Sequence, residues 1–156
     1  MTGRPSFPTA TTPALLAGLI GALAMNIGHE ATRRLVPRSP RLDRVGHRGL
    51  ALGYRALSRT PPGSAQLQRE ALAGDLMANA AWFAGAVMLG SGSSAPGRGA
   101  LAGALAGGAT LVLAPRLGLI RARPTPTTRG LALAFYVGGG LVAGLAYRRF
   151  RAAGGS

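Results

Sequence analysis

Four stretches of this chain are nearly free of charge, and the arginines are gathered between them. They run over residues 14–30, 71–90, 99–120 and 130–147, the second with Asp75 and Asn79 embedded in it. Each is close to the ~20 residues that cross a ~30 Å hydrocarbon core at ~1.5 Å per residue. A soluble helix would carry a charged face along its length, and these stretches carry none. The pattern predicts an all-α integral membrane protein: one domain over residues 1–156, built as a compact four-helix transmembrane bundle. The spans are rich in Ala and Gly rather than Leu and Ile, and such helices insert well only beside partners. A cleaved signal peptide competes for the first stretch, with Ala22-Leu23-Ala24 as its possible site. Only Arg4 precedes that stretch, and the apolar run continues past the site.

Between the first two spans the periodicity changes. Over residues 40–59, Arg41, Arg44, Arg48, Arg55 and Arg59 fall within a narrow arc at ~100° per residue, with Leu42, Leu50, Tyr54 and Leu57 across from it. Ser39-Pro40 offers an N-cap and a proline at the first helical position, and Pro61-Pro62 marks the end. The expectation is an amphipathic helix lying in the interface, its five arginines among anionic lipid headgroups. An acidic partner protein is the alternative. Nucleic acid would account for the charge, but no motif or aromatic platform accompanies it, so none is expected.

Composition changes this picture at a few points. Apolar residues are 47% of the chain, which is ordinary, so the inference rests on their distribution. The basic residues are arginine without lysine, beside abundant Ala and Gly, which fits a GC-rich bacterial genome and an inner-membrane location. Residues 31–69 hold nine arginines and 116–129 four, against five in the tails and second loop. The positive-inside rule then places the first and third loops in the cytoplasm and both termini outside. The basic Arg148-Arg149-Arg151 end falls on the outer side in this arrangement. The absence of cysteine excludes disulfides and thiolate chemistry, and two histidines exclude the many-histidine metal centres. No cofactor is expected.

Two further patterns single out residues. Gly99, Gly103 and Gly107 recur every four residues on the third span, as do Gly140 and Gly144 on the fourth. Such positions let two backbones approach closely. Packing within the bundle is the first reading, and a homo-oligomer interface the second.

The other pattern is a polar layer. Asn26, His29, Glu30 and Arg33 share a face of the first span by their spacing, and Asp75 and Asn79 share one on the second. The first span descends to the basic loop and the second rises from it, so these residues lie at one depth, to which the third span adds Arg116 after Pro115. Polar groups at such a depth cost several kcal/mol unless paired or hydrated. Asn26, His29, Glu30, Asp75, Asn79 and Arg116 are therefore the candidate site for a proton or a cation. The competing reading is an ion-pair network that only fixes helix register, Asp75 to Arg116 and Glu30 to Arg33 or Arg34, in a non-catalytic accessory subunit. His29-Glu30 begins the metalloprotease pattern His-Glu-x-x-His, but Arg33 replaces its second histidine. Ser91, Ser93 and Ser94 lie on the opposite loop from His29, so no enzymatic constellation is expected.

Overall fold

The computed structural model describes residues 10–35, 42–120 and 125–154. The described residues form helices α1 (Thr11–Leu35), α2 (Leu42–Ala56), α3 (Ser64–Met88), α4 (Ala95–Arg116) and α5 (Pro126–Ala153), with one 3-10 turn at Gly92–Ser94. Helices α1, α3, α4 and α5 are each long and apolar enough to span a membrane. They fit a multi-pass membrane protein. All four extend beyond the apolar stretches on at least one side. Helix α3 begins at Ser64, a full two turns before Ala71, and α5 continues through Arg148, Arg149 and Arg151 to Ala153.

Local signals fix the helix ends. Thr125 caps α5, its Oγ1 accepting from the Thr128 amide at 3.2 Å, and Pro126 follows in the first turn, where no amide hydrogen is needed. Helix α4 stops one residue after Pro115. There the Leu119 amide donates to the Ala114 carbonyl and the Gly118 amide to the Pro115 carbonyl, with Gly118 at a φ of 68°. This pair of bonds is the Schellman closure, and glycine is the residue that adopts its left-handed position without strain. Helix α2 closes the same way through Arg59 to Tyr54 and Ser58 to Arg55, but with Ser58 in the left-handed position.

Helix α5 packs on both α1 and α4, α1 packs on α3, and α3 meets α4 more loosely. Adjacent glycines make α5 the centre. A Cβ at Gly139 would press on Met25 and the Gly21 carbonyl of α1, whereas one at Gly140 would overlap the Gly99 carbonyl of α4. On α4, Gly99 and Gly103 sit directly on the α5 backbone, Gly107 rests on the Tyr136 and Leu133 side chains, and Gly144 of α5 meets Ala95 and Pro96. The five glycines of the four-residue repeats thus all lie within the α4–α5 contact. Gly18 and Gly21 bring α1 equally close to α3 and α5. Attraction between helices in lipid comes from dispersion at such short separations. Around these contacts Phe83, Val87, Ala14, Ala17, Ala95 and Ala143 are fully enclosed.

Where α3 meets α4 the surface opens into an apolar groove of about 500 Å³, lined by Trp82, Leu89, Leu101 and Leu105 among others. Two polar ties hold this seam. The Trp82 indole donates to the Ala102 carbonyl at 2.9 Å. Arg98 donates to the carbonyls of Ala86, Val87 and Ser91 and to Ser94 Oγ, so one guanidinium satisfies the exposed C-terminal end of α3.

Candidate functional site: a polar cavity at the arginine-rich end

Helices α1, α3 and α5 meet at the end of the bundle that carries α2 and the α4–α5 connection. There they enclose a cavity of about 50 Å³, lined by Asn26 and His29 of α1, Gln68 and Asp75 of α3, Tyr136 of α5 and Gly46 of α2, together with Met25, Ala71 and Leu72. One water needs on the order of 10–15 Å³ on this scale, so the cavity is large enough for a few of them.

Asp75 is the only carboxylate among the described residues of the lining. Asn79, one turn further along α3 and 8% exposed, donates from Nδ2 to the Asp75 carbonyl at 2.9 Å and to its Oδ1 at 3.0 Å. The Asn26 amide lies within hydrogen-bonding reach of the same carboxylate, and His29 is near enough to act on it electrostatically. Asn26 also donates to the Ala22 carbonyl at 3.0 Å, within its own helix. Both asparagines therefore turn their N–H groups toward acceptors, which favours a carboxylate over a cation between them.

The inner wall is Tyr136, only 8% exposed. Its hydroxyl lies 3.3 Å from Thr110 Oγ1 of α4, and Thr110 donates to the Ala106 carbonyl at 2.9 Å. Beyond Tyr136 the bundle is filled by Met25, Phe83 and the glycine contacts of α5 with α1 and α4. On the α1 side the His29 imidazole tilts against the Phe135 ring, with centroids 5.5 Å apart.

Two residues assigned to this layer by depth stand apart from the cavity. The Glu30 carboxylate accepts from Arg33 at 2.7 and 2.9 Å and from Arg34 at 2.8 Å, all within α1 and at its surface. It borders a shallow groove with Leu23, Ile27 and Ala31 instead. Arg116 is exposed at the end of α4, and no ion pair joins it to Asp75. The α4 residue that reaches the site is Thr110. Six residues on, Arg116 is turned by roughly 120° around the helix. Depth fixes a level along the bundle, but azimuth decides who meets whom.

Helix α2 crosses the mouth of the cavity. Its Gly46 faces Ala71 of α3, its Tyr54 hydroxyl donates to Glu70 at 2.8 Å, and its Arg48 donates to the Leu119 carbonyl at 2.8 Å. Glu70 is also held by Gln66 at 2.8 Å. The carboxylate beside the Tyr54 phenol pushes its pKa above the ordinary value. Of the basic arc, Arg48 turns toward the protein, Arg55 is exposed, and Arg59 is exposed and stacks 5.7 Å from the Tyr54 ring. Arg41 and the Arg44 side chain lie outside the described residues, as does the Ser39-Pro40 cap.

Among the described residues no three His, Cys, Asp or Glu side chains converge as a metal site. Comparison with protein-family models, with curated proteins and with solved structures finds no match.

Proposed function

We propose that the chain is a small bacterial inner-membrane protein that senses protons at the Asp75–His29 cavity, reached from the cytoplasmic face. The observation that carries this reading is the cavity itself. It joins the Asp75 carboxylate of α3 to a histidine of α1 in a space sized for water, and acids at such depth mark proton or ion pathways. Among the described residues, the charged and titratable groups lining it are Asp75 on α3, His29 on α1 and Tyr136 on α5, and α2 contributes Gly46.

Two features favour a proton over a metal cation. Asn79 gives its amide hydrogens to Asp75, and the described lining offers one carboxylate where hard cations take several oxygen ligands. Sensing is favoured over conduction by the packed bundle beyond Tyr136, where the glycine contacts of α5 and the buried Phe83 fill the space next to the cavity. The orientation, with α2 in the cytoplasm and both termini outside, follows the arginine asymmetry.

The second reading is a structural accessory subunit. It is favoured by one observation: Asp75 and Asn79 satisfy each other within a single helix. Infrared difference spectroscopy on reconstituted protein, followed across about pH 5–8, separates the two. Sensing predicts a carboxylic-acid carbonyl band on acidification that Asp75→Asn abolishes, and altered band position in His29→Gln. A spectrum without any Asp75 band over that range would leave the register-fixing role alone.

A further inference from the structure

We propose that α2 is a lid on the polar cavity and that anionic phospholipid headgroups open it by drawing Arg48 away from the Leu119 carbonyl. This rests on reading the cavity as the working site and adds what controls access to it.

The closed position is built from few contacts. Among the described residues, helix α2 lies on α3 and on the end of the α4–α5 connection nearest α4, and its Gly46 reaches the cavity. A Cβ placed at Gly46 would stand 3.9 Å from the Ala71 Cβ, ordinary van der Waals contact. Two hydrogen bonds add to this, Tyr54 to Glu70 and Arg48 to Leu119. The second is the weaker kind for such a donor. Arg48 is a full charge facing a neutral carbonyl, and a phosphate would add the opposite charge and a two-pronged fit to the guanidinium.

Each of the three carboxylates whose side chains are described already has a partner. Glu30 is taken by Arg33 and Arg34, Glu70 by Tyr54 and Gln66, and Asp75 by Asn79. A phosphate would supply the missing charge. Helix α2 sits at the end of four membrane-length helices, the level at which headgroup phosphates are found. Exposed Arg55 and Arg59 draw anionic lipid toward it, and exposed Leu52 and Leu57 offer apolar anchorage beside those charges.

The absence of native cysteine makes the lid directly testable. The Gly46–Ala71 spacing lies within the ~3.5–4.5 Å between Cβ atoms that a disulfide requires. In phosphatidylcholine vesicles, Gly46→Cys/Ala71→Cys should crosslink readily under mild oxidation. Phosphatidylglycerol in the vesicles should slow the crosslink about fivefold, the effect of one arginine near an anionic surface. Arg48→Gln should remove that difference, and inorganic phosphate added to phosphatidylcholine vesicles should not reproduce it. Equal rates in the two vesicles would overturn the proposal, and slowing by phosphate alone would overturn the lipid as its ligand.

Should the double variant fold poorly, single Met25→Cys, at a buried position of the cavity lining, gives a second measurement. Its labelling by a membrane-impermeant thiol reagent should rise with phosphatidylglycerol, and unchanged labelling would count against the lid. Both experiments read the position of α2 whether or not Asp75 titrates, so either proposal can fail without the other.

Discussion

Glycine has two opposite roles along α4, and single substitutions separate them. At Gly99 an added methyl would run into the Gly140 backbone, which cannot yield, whereas at Gly108 it would meet nothing within 4 Å. Gly99→Ala should therefore force α4 from α5 and cost about 1–3 kcal/mol, the usual range for overpacking. Gly108→Ala should be neutral or stabilise by about 0.4–1 kcal/mol, because alanine has less freedom to lose on folding. Reversible unfolding in mixed detergent micelles measures both, and the same sign of effect at the two positions would contradict the packing described. The polar residues divide in a similar way. Asp75 and Asn79 stand out in the sequence because nothing apolar accounts for them. Tyr136 and Thr110 do not, since one tyrosine and one threonine in an apolar span look like ordinary span residues. Their place at the site depends on the rotation of α5, which Gly139 and Gly140 set by choosing different partners.

At the scale of elements, the apolar runs make four of the five helices legible, and the arginine arc makes the fifth so. Their ends are less so, because polar turns such as Ser64 to Glu70 and Arg148 to Arg151 continue a helix that hydropathy alone would stop. Helix α2 shows what an amphipathic pattern leaves open. The arc identifies a basic face, yet Arg48 within it turns to the Leu119 carbonyl because the α4–α5 connection happens to pass there. The end of α2 carries its own test. Ser58 holds a φ of 55°, where a side chain costs about 1–2 kcal/mol that glycine avoids. Ser58→Gly should raise hydrogen-exchange protection of the Ser58 and Arg59 amides by up to about tenfold, and Ser58→Val should lower it. Loss of protection in the glycine variant would mean that the Schellman closure does not hold α2. The Arg98 clamp had no sequence signal beyond a lone arginine in a short loop. Its meaning emerges only when the carbonyls of Ala86, Val87 and Ser91 are seen around it.

For the whole molecule, the two ends differ in kind. One carries α2, the α4–α5 connection and the water-sized cavity, and the other carries the tight turn at Gly92–Ser94 beneath Arg98. If the four long helices cross a bilayer, single cysteines at Ser58 and Arg116 should react with an impermeant reagent from one face, and a cysteine at Ser93 from the other. Reaction of all three from the same side would exclude a four-span topology. The central place of α5 has a consequence for how such a chain is made. Spans leave the ribosome in order, and α1 and α4 both find their closest partner in α5, the fourth to emerge. Until it arrives, α1 has only α3, and the glycine faces of α4 are open to whatever helices lie nearby. A nascent chain stalled before residue 126 would thus be a client for membrane quality control, although three of its four spans are complete.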